Sequence, residues 1–157
     1  MGQYIDQQLF AKEYFDILEE TFETHHGIFL DRNTSLFETL ESITAAEASR
    51  PVGDKCASLA AQVAHVTFYL EVLERYILSQ DSGQVDWGEI WRTVKEVTPE
   101  EWTTLQRQLR QTYQRVCAML RGLPTWDADT AIGCALAIVV HTAYHLGEIR
   151  QALCTLK

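Results

Sequence analysis

Two histidines on one predicted helical face are the side chains of this sequence best suited to chemistry. His141 and His145 are four positions apart, so in a helix they lie on the same face, about one turn from each other. Imidazole nitrogens at this spacing can bind one metal ion at about 2.0–2.1 Å. The pair directly follows Ala131–Val140, which is almost wholly apolar or small and is therefore expected to be buried on all sides. Buried rings need polar partners, and a shared ion is one such partner.

A third histidine and a carboxylate could complete a site. His65 lies beside the apolar stripe of another predicted helix. Three neutral imidazoles leave a coordination position open, as in catalytic zinc sites, and the ion could then activate a bound water or thiol. Glu148 follows His145 by three residues, so it should project toward the same site as a catalytic, orienting or coordinating group. The plainer alternatives are hydrogen-bonded core histidines and a solvated carboxylate near a helix end.

Other residues near this motif have structural interpretations. Tyr69 and Tyr144 are helical neighbours of the candidate ligands and are expected to pack in the core. Gly147 should let a neighbouring helix approach closely. Cys134 lies seven residues before His141, on nearly the same helical face. A cysteine nucleophile is therefore conceivable, but no local sequence supports it.

Composition excludes several classes of function. The net charge of −9 disfavours nucleic-acid binding. The sequence has no run of 18 or more apolar residues, so no membrane span is predicted. The N-terminal residues lack the pattern of a secretory signal, which leaves the cytoplasm as the expected location. The four cysteines form no CxxC pair, so they are interpreted as small buried side chains. The length predicts one domain, residues 1–157.

Hydrophobic periodicity predicts an all-α, up-and-down four-helix bundle. The first long helix should have an acidic outer face that includes Glu20, and a short amphipathic turn with Trp87 and Trp91 should cover one end of the core. No strand pattern occurs between these segments. The predicted helices span residues 4–25, a short helix after the capping box Ser35–Glu38, Asp54 or Ser58 to Gln80, a third long helix from Thr98-Pro99 to Gly122, and Asp127 or Asp129 to Leu153.

Two stretches together resemble the DinB-like proteins, whose fold is described as DinB/YfiT-like. They are Ser58-Leu-Ala-Ala-Gln-Val-Ala-His65 and His141-Thr-Ala-Tyr-His145-Leu-Gly-Glu-Ile-Arg-Gln151. The resemblance covers nearly the whole chain and implies a four-helix bundle that is often homodimeric. It also implies a divalent metal (Zn, Ni or Fe) on His65, His141 and His145.

The resemblance further implies an activity. Relatives include transferases that use low-molecular-weight thiols such as bacillithiol, and a mycothiol-dependent isomerase. The implied mechanism is metal activation of a thiol, which attacks a small electrophilic substrate. Many relatives have Arg-Gly-Gln where this chain has Leu146-Gly147-Glu148. The polar group at position 148 therefore differs in charge, and the thiol and substrate are left open.

Three hypotheses about function follow. The first is a metal-dependent enzyme, a thiol S-transferase or a hydrolase. The second is a non-catalytic bundle in which an ion, or a hydrogen-bonded histidine cluster, braces the core. The third is a dimeric interaction protein that docks partners through the acidic face of the first helix and the segment of Trp87 and Trp91.

Overall fold

The computed structural model describes residues 4–79, 83–126 and 129–157, without the side chains of 129 and 130. Those residues form helices and loops with no strand. The predicted boundaries at Gln80 and Asp127 lie outside the described residues. The helices are α1 (Gln7–Phe22), α2 (Leu36–Glu41), α3 (Ala45–Ala48), α4 (Leu59–Ile77), α5 (Glu89–Thr93), α6 (Pro99–Arg121) and α7 (Asp129–Leu156).

Four long helices, α1, α4, α6 and α7, form the bundle. Helix α4 packs against both α6 and α7, and α1 packs against α7. Phe22 of α1 stacks on Tyr113 of α6, with ring centroids 4.4 Å apart. The predicted seam of α4 is buried, including Leu59, Val63 and Leu70. The predicted all-α bundle is therefore confirmed, while the assignment of residues 1–157 to one domain stays a prediction.

Local capping signals fix where several helices begin. The Thr98 hydroxyl accepts the N–H of Glu101, whose carboxylate accepts the N–H of Thr98, as the sequence predicts. Ser35 and Glu38 form the second predicted capping box. Ser58 caps α4, and its hydroxyl also donates to the carbonyl of Lys95 at 3.0 Å. The start of α4 is thereby tied to the segment that follows α5.

The prediction that Glu20 belongs to an exposed acidic face is wrong. Its side chain is fully buried, because the chain after α1 folds back over it. The Glu20 carboxylate accepts five backbone N–H groups, from residues 26 to 30, at 2.9–3.4 Å. Gly27, with φ +81°, permits this turn. Burial by itself would raise the pKa of Glu20, but the N–H donors outweigh it and the pKa is lowered overall.

The prediction that α7 is buried on all sides is also wrong. Leu136, Val140 and Tyr144 are 45, 68 and 63% exposed, so the side of α7 that they occupy is not covered by α4 or α1, against which α7 packs. By length and composition alone, Ala131–Leu156 could cross a membrane. Helices in the cores of soluble bundles pass the same test, so this finding is weak evidence for a span.

The cysteines differ in exposure. Cys56 and Cys154 are exposed, which contradicts their predicted burial, while Cys117 and Cys134 are partly buried. All four are free thiols, as expected for a chain without a disulfide frame. Cys56 lies in the loop before α4, where no helical pattern constrained its position.

Candidate metal centre

Three imidazole nitrogens from two helices converge on one point. His141 Nε2 of α7 lies 3.2 Å from His65 Nε2 of α4 and 3.2 Å from His145 Nε2. One ring nitrogen of each histidine lies within 4.8 Å of the other two. Two nitrogens bound to a tetrahedral ion at 2.0–2.1 Å would be roughly 3.3–3.4 Å apart. The spacing of the three rings therefore fits a shared ion, and the predicted convergence of these side chains is observed.

Hydrogen bonds among the three imidazole rings cannot satisfy all of their nitrogen atoms. Burial, with a smaller contribution from the neighbouring imidazoles, lowers the pKa of His65 to about 4 and that of His141 to about 3. The rings are therefore neutral at pH 7, with one N–H each. His141 Nε2 faces two nitrogens but can share a proton with only one of them. Nδ1 of His65 and of His141 is buried without a hydrogen-bond partner among the described residues.

The orientation of the His145 ring is fixed by two side chains that contact Nδ1, the ring nitrogen that faces away from the cluster. His145 Nδ1 contacts the side-chain oxygen of Gln62 and lies 2.9 Å from Glu148 Oε2. Because both oxygens are acceptors, Nδ1 carries the proton and Nε2 presents its lone pair to the centre. Burial lowers the pKa of His145, although Glu148 opposes the shift. Glu148 thus projects toward the site as predicted.

A tyrosine extends this contact to the surface. The hydrogen bond that the Tyr144 hydroxyl donates to Glu148 raises the pKa of the phenol. The predicted core packing of Tyr144 is wrong, because it lies on the exposed side of α7. Tyr144, Glu148 and His145 therefore form a connected polar chain from solvent to the histidine cluster.

Two aromatic rings hold the other histidines in place. Tyr69 stacks on His141, with centroids 3.5 Å apart and planes 8° apart. Trp91 of α5 lies over His65 at 4.3 Å. The segment predicted to cover one end of the core thus covers the histidine cluster, while Trp87 beside it is 42% exposed.

A groove of about 920 Å³ borders the cluster at His145. A Cβ added to Gly147 would meet no atom within 4 Å, so the predicted close approach of another helix at Gly147 is wrong, and this residue faces the groove instead. The lining comes from the loop before α4, from α4, from Trp91 and from α7: Lys55, Cys56, Gln62, Trp91, Tyr144, His145, Gly147, Glu148 and Gln151 among others.

The sequence analysis did not identify Gln62 and Cys56 as residues of the site, and the structure does not favour Cys134 as a nucleophile. Gln62 precedes His65 by three residues on α4, and this helical spacing was the available signal. Cys56 had no signal, since only the fold of the loop brings it to the groove. Burial raises the pKa of the Cys134 thiol, which disfavours the thiolate that a nucleophile would need.

A family model described as the DinB superfamily matches residues 30–149, more than half of the chain. The chain belongs to the DinB superfamily. The matched range contains all three histidines and Glu148. Comparisons with curated proteins and with solved structures give no match. The predicted resemblance is therefore confirmed, and the histidine cluster is compatible with a metal-dependent enzyme of this superfamily.

Several finer assignments stay predictions. They are the metal-ligating role of the three histidines, the catalytic role of Glu148, the thiol and electrophile as partners, the absence of nucleic-acid and membrane partners, the homodimer and the cytoplasmic location.

Proposed function

We propose that this DinB-superfamily protein is a divalent-metal-dependent enzyme whose ion is held by His65, His141 and His145. The proposal rests on the convergence of three neutral imidazoles, in which His141 Nε2 lies 3.2 Å from the Nε2 atoms of both His65 and His145. Imidazole ligands suit Zn, Ni or Fe. A divalent cation bound there would lower the pKa of a coordinated thiol or water, so that a nucleophile forms near neutral pH.

The surroundings of the cluster favour a small substrate. The groove at His145 has the size of a small-molecule site, and it has a cationic group, Lys55, as well as the carboxylate of Glu148. Glu148 is 37% exposed at its side chain, so it can exchange protons with groove and solvent. Its contact with His145 Nδ1 keeps the Nε2 lone pair directed at the centre.

The DinB-like family resemblance, whose relatives include thiol-using transferases, favours a low-molecular-weight thiol over water as the activated group. In such a transfer, the thiol proton passes to a Glu148 oxygen, the sulfur bonds to an electrophilic carbon of the substrate, and the leaving group departs with its electron pair. The groove then has to accommodate both the thiol and the electrophile, in line with its volume of about 920 Å³.

A non-catalytic brace is the second candidate, because the cluster links α4 to α7 and both His65 and His145 are buried. The third hypothesis, docking through Trp87 and Trp91, is less favoured. Trp91 is engaged with His65, and Trp87 contacts Phe68 and Tyr69.

Elemental analysis of protein purified without an affinity tag tests the metal assignment. We expect about one divalent ion per chain in the wild type and its loss in His141→Ala. His26→Ala is the matched control, because His26 is an exposed histidine outside the cluster, and it should retain the ion. Full metal content in His141→Ala would contradict the assignment.

A screen for conjugation of electrophiles with several thiols separates the enzyme from the brace. The enzyme should turn over at least one pair, and Glu148→Gln should reduce the rate. A stoichiometric ion together with no turnover in any pair, and loss of thermal stability with chelator, would favour the brace.

A further inference from the structure

The groove beside the histidine cluster has mostly apolar walls. Val52 contributes from the loop before α4, and Leu59 contributes from the first turn of α4. Two aromatic rings border the groove next to His145, since the ring centroid of Trp91 lies 6.1 Å and that of Tyr144 lies 5.1 Å from the His145 ring. Walls of this composition suit the apolar body of an organic molecule, and a volume of about 920 Å³ suits a small one.

The lining of the groove includes one cationic side chain, Lys55, and one anionic side chain, Glu148. Glu148 is already engaged, because it lies 2.9 Å from His145 Nδ1 and accepts the hydroxyl of Tyr144. Lys55 is exposed and has no ion-pair partner among the described residues. Of the described lining residues, Lys55 is therefore the one whose charge is free to pair with a ligand, and the matching ligand group is an anion.

The loop before α4 places opposite charges on different sides. The N–H of Cys56 donates to the carbonyl of Gly53 at 2.8 Å, which closes a turn over residues 53–56. Within this turn Lys55 lines the groove, whereas Asp54 lines a separate cavity of about 270 Å³. The carboxylate next to Lys55 in the sequence is thus kept out of the groove.

This local cation stands in a chain whose net charge is −9. Interactions between exposed charges are largely screened beyond about 8 Å at physiological ionic strength. A ligand in the groove is therefore influenced more by Lys55 than by acidic groups on other parts of the surface. The groove consequently combines apolar walls with a single unpaired positive charge.

We propose that the groove binds a small organic acid, whose apolar body contacts Val52, Leu59 and the two aromatic rings and whose carboxylate pairs with Lys55. The inference rests on the proposed function, because it names the class of electrophile that the activated thiol would attack. Neutral and cationic molecules with the same apolar body lack the partner that Lys55 supplies. Charge complementarity therefore selects among electrophiles of similar size.

Three probes with one body and different head groups test the inference: 3-phenylpropanoate, 3-phenylpropanol and 3-phenylpropylammonium. Each is titrated into Zn²⁺-loaded protein and followed by the NMR signal of the Trp91 indole N–H, which Trp91→Phe assigns. The acid should bind about two- to fivefold more tightly than the alcohol, as expected for an exposed ion pair, and the ammonium should bind most weakly. The indole N–H of Trp102 is buried and donates to the carbonyl of Ile43 at 2.8 Å, so its signal should not shift.

Substitutions separate the charge from the apolar wall. Lys55→Gln should lower the affinity for the acid to that for the alcohol, and Lys55→Arg should keep the preference for the acid. Arg50→Gln is the matched control, because it removes the same charge from an exposed position of this loop that does not line the groove. Val52→Ser should weaken the binding of all three probes alike, since it changes only the wall.

Three results would each overturn the inference: equal binding of acid and alcohol, tighter binding of the ammonium, or an unchanged preference in Lys55→Gln. The same titrations in metal-free protein separate this inference from the proposed function. The preference for the acid should persist there, because Lys55 holds the carboxylate. Its loss would assign the carboxylate to the ion, which would support the metal site and overturn the role of Lys55. A protein without a stoichiometric ion or without turnover would contradict the proposed function and leave this binding intact.

Discussion

His145 is the candidate ligand whose two ring nitrogens have different tasks. Nε2 faces His141, while Nδ1 contacts Gln62 and Glu148. A carboxylate behind a ligating imidazole fixes its tautomer and raises its basicity. Glu148 therefore combines two roles in one side chain, since it orients His145 and also faces the groove.

Replacing Glu148 by Gln should weaken metal binding by about 10–100-fold, because the amide cannot match the carboxylate as an acceptor for His145 Nδ1–H. Competition with a chromophoric chelator measures this affinity. Glu41→Gln removes the same charge from an exposed position and should leave the affinity unchanged. Equal affinities for wild type and Glu148→Gln would mean that Glu148 does not support the ligand.

Glu20→Gln should lower the free energy of unfolding at pH 7 by about 2–3 kcal/mol, since an amide cannot satisfy the N–H donors gathered by this buried carboxylate. The loss should diminish as pH falls below the ordinary value of 4.5 toward the lowered pKa of folded Glu20, because protonation removes the same charge from the wild type. Urea denaturation at several pH values measures both effects. The exposed Glu13→Gln should change little.

At the scale of elements, α5 covers the histidine cluster but does not contribute buried residues to the core of the bundle. It has no buried residue among those described, yet it places Trp91 on His65. Its following segment is held by Ser58, which bonds Lys95, and by Ser49, whose hydroxyl accepts the N–H of Val97 at 2.9 Å. Because α5 itself has no buried residue among those described, a change in α5 should not disturb the core of the bundle.

Trp91→Ala should raise the pKa of His65 from about 4 toward 6.5, because burial is the main cause of its depression. Proton NMR titration of His65 in metal-free protein measures the shift. Trp87→Ala is the control, because it removes an indole from the same segment that contacts Phe68 and Tyr69. It should leave the pKa of His65 unchanged. Unchanged titration in Trp91→Ala would show that the bundle alone desolvates the ring.

The sequence predicted those elements whose signals are local. Capping at Ser35 and Thr98 depends on residues three positions apart, and the α4 seam depends on helical periodicity, so all were found. The spacing of His141 and His145 likewise gave half of the site. His65 was a weaker candidate, named from its position beside the α4 seam, and the resemblance strengthened its assignment, because contact between α4 and α7 is not encoded at short range.

The failures concern properties that only tertiary packing decides. An apolar run such as Ala131–Val140 resembles a fully buried helix, whether or not a partner covers each side. Glu20 sits among acidic neighbours, and only the returning chain shows that it is enclosed. The predictions for Tyr144 and Gly147 were wrong for the same reason, since their face of α7 borders solvent and the groove.

At the scale of the whole molecule, the histidine cluster makes stability depend on pH. The unfolded chain binds protons near 6.5, whereas folded His65 and His141 do so only near 4 and 3. In chelator-treated protein, the free energy of unfolding should therefore fall as pH decreases from about 6.5 toward 4. Urea denaturation across this range should show a weaker slope for His65→Asn. His26→Ala should keep the slope of the wild type.

The contact between Trp91 and His65 also has an optical consequence. Two of the four tryptophans, Trp102 and Trp126, are buried in the core, whereas Trp91 lies 4.3 Å from a candidate ligand. An open-shell ion such as Ni²⁺ at the cluster would quench the emission of Trp91 at short range, while Zn²⁺, with its filled d shell, would leave it bright. The chain thus contains its own fluorescent reporter, able to distinguish classes of ion without a label.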